Sequence, residues 1–437
     1  MDAEFIGTQE QTKTPSNNNV YVVWREFVTP DNAEIFFAAS YDNGKTFSTP
    51  INISNTPENS FDPQLITEGN NVYVVWREEV TIDNNEIFFT ASNNNGQTFT
   101  DPPDNLSNTP ESSFDPKISS EGNNVYIIWE EEITPSNSEI FFTASNNNGQ
   151  TFTDPPDNLS NSPLNSRDPQ ISNRGNNVYV VWTEVVTLAQ NSEIFFTASN
   201  NNGDTFSTPP DNLSQKSGFS RNPQIANEAN NVYVVWEDDT SGNDEIMFAE
   251  SDDNGDNFDM PDNISNNAED SHIPQISSEV NNVYVVWKDD ATPDNDVDIF
   301  FTASNNNGQT FTDPPDNLSN TPESSFDLTI SSEGNNVYVV WEEILENVAV
   351  FYIASDDNGN TFPTSSVNLS NKEGGSLNPQ ISSGGNNVYV VWDDNTPGPS
   401  EILFKLSDNS GDDFDEDDNL SKSTVDSAFP QISSNTS

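Results

Sequence analysis

The chain has no cysteine among its 437 residues. Disulfides, thiol catalysis and cysteine-ligated zinc are therefore excluded. Basic residues are scarce: 13 Lys+Arg stand against 72 Asp+Glu, for a formal net charge of −59. Phosphate contacts need lysine and arginine, so nucleic acid is not an expected partner, nor are anionic membrane surfaces. A single histidine, His272, leaves little room for histidine-based catalysis, and no G-x-S-x-G nucleophile elbow occurs. There is no apolar run of the roughly 18 residues that a membrane helix requires, so membrane insertion is not expected. Met1–Lys13 lacks the basic and apolar regions of a signal peptide.

What the chain does have is repetition. Its eight tryptophans, Trp24, Trp76, Trp129, Trp182, Trp236, Trp287, Trp341 and Trp392, recur every 51–54 residues. Each closes an NNVYVVW-like run, followed by an EIFFTAS-like run, a turn of the form S-x-[DN]-x-G, an N-[LI]-S segment and a PQIS-like segment. A period of this size points to stacked units. In the unit from Pro63 to Ser113, Pro63–Thr67, Val72–Trp76 and Ile87–Ala91 are predicted strands A, B and C. The fourth, D, opens at Thr98–Thr100 and ends near Leu106. Arg77–Asn85 is expected as a polar loop between B and C. The β-branched and aromatic runs suit strands covered on both faces.

A four-stranded sheet with two apolar faces needs neighbours on both sides, and radial closure supplies them. The predicted fold is all-β, an eight-bladed β-propeller of four-stranded antiparallel blades. Residues 1–15 fall outside the repeat and are expected to be a disordered or extraneous leader; 16–437 form one domain. Repeat 1 has no apolar strand A, whereas the chain ends on an orphan one, Pro430-Gln431-Ile432-Ser433. About 429–437 are therefore expected to complete the first blade.

The turn SYDNGKTF, Ser40–Phe47, resembles the Asp-box of sialidase-like, bacterial-neuraminidase-repeat propellers, S-x-D-x-G-x-[TS]-[WF]. The Asp position holds Asp42, Asn94, Asn147, Asn201, Asp253, Asn306, Asp357 and Asn409. Either side chain can accept backbone N–H bonds in an Asx-type turn. In the family these turns are structural and lie on the face away from the ligand. The resemblance also implies a carboxylate gripped by three arginines, with a Tyr/Glu nucleophilic pair and an Asp acid/base, on six blades. This chain departs from it: eight repeats, and no [FY]-R-[IL]-P motif. Of its five arginines, Arg25, Arg77 and Arg221 are the candidates for an anion grip; solvated loop charge is the competing reading.

Two acidic rows bracket the B-to-C loops, on the expected ligand face. Two residues after each Trp come Glu26, Glu78, Glu131, Glu184, Asp238, Asp289, Glu343 and Asp394. Just before strand C come Glu34, Glu86, Glu139, Glu193, Glu245, Asp298 and Glu401, with Ala349 in repeat 7. One reading is oxygen ligands for Ca2+ or cationic partners; the other is that each carboxylate pins its own loop. N-x-[ST] recurs at Asn52, Asn105, Asn158, Asn212, Asn263, Asn317, Asn368 and Asn419: N-glycosylation acceptors if the chain is exported, or a strand-ending motif.

An enzyme centre breaks symmetry, because different blades must bring different groups. Here Ile87–Asp115 and Ile299–Asp327 are identical in sequence. The expected function is thus a non-catalytic, acidic, secreted or cell-surface propeller for adhesion, matrix or ligand binding, with a glycan or protein ligand on the face of the D–A and B–C loops. The alternative is a sialidase-type exo-glycosidase or lectin-like glycan binder. A cytoplasmic protein of a salt-accumulating halophile, or a module of a longer surface protein, fits the same composition.

Overall fold

The computed structural model describes residues 18–187, 191–215, 218–290, 296–371, 374–396 and 398–435. The leader assigned to 1–15 lies outside them. The described residues form eight four-stranded antiparallel sheets and no helix. Seven blades run A-B-C-D in chain order; in blade 2 the strands are Ser60–Glu68, Asn71–Thr81, Asn84–Ser92 and Asp104–Asn105.

Blade 1 is the exception, as the register predicts. Its B, C and D strands are Asn19–Thr29, Asn32–Ser40 and Ile51–Asn52, and its strand A is Ser427–Asn435 from the far end of the chain. Val22 pairs with Ile432 and Asn19 with Asn435. The same closing strand touches both neighbours: Ser434 Oγ lies 2.8 Å from Ser382 Oγ of blade 8, and Ser433 Oγ 3.1 Å from Thr67 Oγ1 of blade 2.

Strand B is the pillar of each blade because its side chains alternate between two interfaces. In blade 1, Tyr21 and Val23 pack with Val72, Val74 and Trp76 of blade 2. Val20, Val22 and Trp24 face the other way, onto Tyr389 and Val391 of blade 8. Each of the eight junctions holds one such cluster. All eight tryptophans are buried, and each side chain is worth roughly 2–3 kcal/mol of apolar burial. The core is therefore a circle of inter-blade layers, with no single centre.

Strands B and C run longer than their apolar cores. In blade 2 the segment expected as a loop, Arg77–Asn85, is mostly hairpin, with Thr81 paired to Asn84. Strand D is shorter than expected: Asp104–Asn105 alone pair with strand C, through Phe89 and Phe88. Pro102 and Pro103 lack the N–H that a ladder needs.

The S-x-[DN]-x-G turns join C to D on the face carrying the A-to-B turns. Ser40 Oγ donates to Asp42 Oδ1 and accepts from the Gly44 N–H, and Asp42 Oδ1 accepts from the Thr46 N–H. Where the residue is Asn94, its Oδ1 accepts from the Thr98 N–H in the same way. The Phe that ends the turn reaches out of its own blade: Phe99 meets Phe37 of blade 1 edge-on, ring centroids 4.8 Å apart. Gly96 has φ +76°, and a Cβ there would sit 2.4 Å from the Phe37 ring. Both the backbone and the neighbouring blade require glycine.

Candidate functional site at the axial opening

The eight A strands surround the ring axis, and the D–A and B–C loops gather at one end of it. Both acidic rows lie at this end, but they point into the blades. In six blades the carboxylate two residues after Trp accepts the indole N–H: Trp24 to Glu26, Trp76 to Glu78, Trp129 to Glu131, Trp182 to Glu184, Trp287 to Asp289 and Trp341 to Glu343, at 2.8–3.3 Å. Asp238 and Asp394 instead accept from the Thr240 and Thr396 N–H groups. In six blades a serine of strand A adds a donor, as Ser60 does to Glu78 at 2.7 Å and Ser220 to Asp238 at 2.8 Å. Burial pushes the carboxyls of Glu78, Glu131, Glu184 and Glu343 above the usual range, against these bonds.

The second row is equally engaged. Glu34, Glu86, Glu139, Glu193, Glu245, Asp298 and Glu401 each accept from the serine of the N-[LI]-S motif, Ser54, Ser107, Ser160, Ser214, Ser265, Ser319 and Ser421. Those serines also accept a backbone N–H of strand C, as Ser54 does from Ile35 at 2.9 Å. The motif asparagines, Asn52, Asn105, Asn158, Asn212, Asn263, Asn317, Asn368 and Asn419, accept the N–H three residues on at 2.7–2.9 Å. The whole N-[LI]-S segment thus works as a clip at the end of strand D.

Side chains that break the eightfold pattern lie one residue after Trp, where the sequence reads Arg25, Arg77, Glu130, Thr183, Glu237, Lys288, Glu342 and Asp393. Strand A has a bulge facing this position. Its residue has positive φ in every blade, non-glycine throughout, including Ile273 (φ 51°) and Phe429 (φ 56°). Four of the acids cross to the next blade and accept its bulge N–H: Glu130 from Asp168 (2.8 Å), Glu237 from Ile273 (2.6 Å), Glu342 from Asn378 (2.6 Å) and Asp393 from Phe429 (3.3 Å). Burial raises Glu130 and Glu342 to about 7 and Asp393 to about 6. Of this row only Arg25 and Arg77 are among the sequence-derived candidates; its four acids are not. Its signal was available: the position after Trp varies in sign while the next one is always acidic.

Blades 1 and 2 differ. The Arg25 guanidinium lies over three rings: Phe429 at 4.7 Å, Phe27 at 5.4 Å and Phe61 at 5.7 Å. Arg77 covers the same Phe61 at 4.6 Å and Phe114 at 5.9 Å, and donates to Asp62 (2.9 Å) and Asn85 (3.3 Å). Arg221 is not with them. It belongs to blade 5, opposite blade 1 in a ring of eight, where it pairs with Glu237 (2.9 Å) and Asp244 (2.6 Å). The three candidate arginines therefore do not converge on one ligand.

The Arg221 cluster includes His272, whose Nδ1 is 3.5 Å from both acids. The Glu237 hydrogen bond raises the His272 imidazole above its ordinary value. Burial pushes Glu237 up, but the His272, Ile273 and Asn222 donors and the Arg221 charge outweigh it and hold the carboxyl low. Glu237, Asp244 and His272, or Asp270, His272 and Asp290, are spaced to hold a cation. At the first trio the Arg221 guanidinium already supplies the positive charge.

No protein-family model matches the sequence, and no curated protein does. Solved structures share the shape. A prolyl endopeptidase aligns with TM-score 0.53 at 10% identity, over 83% of this chain and 50% of that one, so the likeness spans half of that enzyme. The polysaccharide lyase Uly1 aligns at 0.50 and 9% identity, over 84% of this chain and 94% of its own. The intramolecular trans-sialidase of Ruminococcus gnavus aligns at 0.41 and 12%, over 76% and 89%. What the first two share with this chain, at such identities, is the fold.

Proposed function

We propose that the protein is a non-catalytic binding propeller, secreted or displayed on a cell surface, that takes a ligand at the axial opening between the D–A and B–C loops. The observation carrying this reading is the commitment of the two acidic rows. Carboxylates that accept two or three internal hydrogen bonds from buried indoles, serines and backbone groups are framework, not acids or nucleophiles waiting for substrate. The groups left to vary are those after Trp, and they give one arc of the opening arginine and phenylalanine and the rest four acids, a threonine and a lysine. Binding on glycan and peptide arrays tests the reading: Arg25→Ala and Arg77→Ala should weaken every hit, while Arg174→Ala, on the opposite face, should not. Hits indifferent to both arginines would sink it.

The second reading, a glycan-active enzyme of sialidase type, is favoured by one feature. Arg221, Glu237, Asp244 and His272 place a cation, two acids and an imidazole together at a single junction, as a catalytic centre would. The Asp-box resemblance and the polysaccharide lyase that shares the fold make glycans the substrate class to try.

A further inference from the structure

The blade junctions can be compared with one another, because the same backbone recurs at each. At four of them, blades 3 to 4, 5 to 6, 7 to 8 and 8 to 1, the residue after Trp lays a carboxylate oxygen on the bulge N–H of the next blade. At the other four that residue is Arg25, Arg77, Thr183 or Lys288, and no side chain among the described residues accepts the corresponding N–H of Asp62, Asp115, Asn222 or Asp327; only the first two bring a guanidinium to it. The bulge conformation is the same, with φ 52° at Asp62 and 49° at Asp115. Arg25 forms no ion pair among the described residues, and its buried Nε has no hydrogen-bond partner. Such an arginine is unexpected in a chain with 72 acidic residues. The nearby charges are Asp62, already held by Arg77, Asp393, already bonded to Asn378 and the Phe429 N–H, and Arg77 itself.

We propose that the junction between blades 1 and 2 is a carboxylate-binding slot, in which a ligand's carboxylate takes the place that Glu130, Glu237, Glu342 and Asp393 fill elsewhere, on the Asp62 N–H, and meets the Arg25 guanidinium. Arginine presents its donors as a planar fork that matches a carboxylate. The Phe429 and Phe61 rings, 4.7 and 5.7 Å from the guanidinium carbon, restrict where that fork can lie. The ligand class is a small organic carboxylate, with an aliphatic stem of the length of a glutamate side chain. This rests on the axial opening being the binding end of the propeller.

The test is thermal unfolding of the full chain with sodium glutarate up to about 100 mM, against sodium chloride at matched ionic strength, since a ligand specific to the folded state raises Tm. Glutarate should raise Tm by a few degrees beyond chloride. The Arg174→Ala chain should keep the response, and Arg25→Gln should lose it. Arg25→Glu should lose it too, while melting no lower than wild type, because the new carboxylate would make the internal clip itself. A glutarate effect equal to chloride, or retained in Arg25→Gln, overturns the slot. So does an equal response to sulfate, which would make the site a general anion site. Glucuronate in place of glutarate separates an acidic sugar from an aliphatic acid as the source of the group. An empty glycan and peptide array would count against the wider reading and leave the glutarate result standing.

Discussion

Glu78 illustrates what the carboxylates do. It accepts hydrogen bonds from the Trp76 indole, the Ser60 hydroxyl and the Thr56 hydroxyl, the last reaching across from the blade 1 connection. Replacing it by alanine leaves three donors without an acceptor in a buried site, each worth about 1 kcal/mol. Glu78→Ala should therefore cost about 2–4 kcal/mol in urea denaturation; a loss below about 0.5 kcal/mol would remove the structural role. The position of this row is legible in the sequence, its role less so. Eight acids at one repeat position resemble a ring of ligands. Yet residues two apart on a strand share a face, so a carboxylate two after a buried Trp is placed to meet the indole. The row after Trp is harder to read: Arg25 and Glu130 occupy equivalent positions with opposite charge, and only the folded ring shows that both address the bulge of the next blade.

Among the elements, the closing strand carries the most weight for its length. Ser427–Asn435 pairs with Asn19–Thr29 and touches the inner strands of both adjacent blades. Without it, strand B of blade 1 has an unpaired edge, and the first and last blades lose the partner that links them. Deleting Phe429–Ser437 should lower Tm by more than ten degrees or leave an aggregating chain; a truncated protein melting like the full one would contradict the closed ring. Strand order and closure could be read from the sequence because the repeat is regular and its register shifts at the ends. Strand D could not. Its apparent length came from the stretch through Leu106, and Pro102 and Pro103 remove donors from the middle of it. The tip of the B–C hairpin was also missed, since polar residues in a two-stranded extension look like loop.

For the whole molecule, charge is the governing quantity. With a formal charge of −59 the folded ring repels itself, and salt should stabilise it by screening. The pH dependence has a definite sign. Glu130, Glu342 and Glu250, raised to about 7, and Asp393, raised to about 6, favour their protonated forms in the fold. Their contribution is complete below the ordinary carboxylate range and is lost as pH rises through 6–7. Asp42, Asp253, Asp357 and Glu237 are held low and act in the other direction, losing their contribution as pH falls below about 4. Tm should thus be higher at about pH 5.5 than at about pH 8, at equal ionic strength. An increase in Tm from the lower to the higher pH would contradict the account.

The same molecule-wide view bears on the proposed function. Two rows of acids hold the loops and strand ends of their own blades, and the variable groups surround the axis without forming a converging arginine triad. The most direct check is a turnover screen of the full chain with fluorogenic glycosides, sialosides included. The account predicts no hydrolysis above buffer, in a preparation that still binds its array ligands. Hydrolysis that Arg221→Ala abolishes would contradict it and make the Arg221 junction an active site.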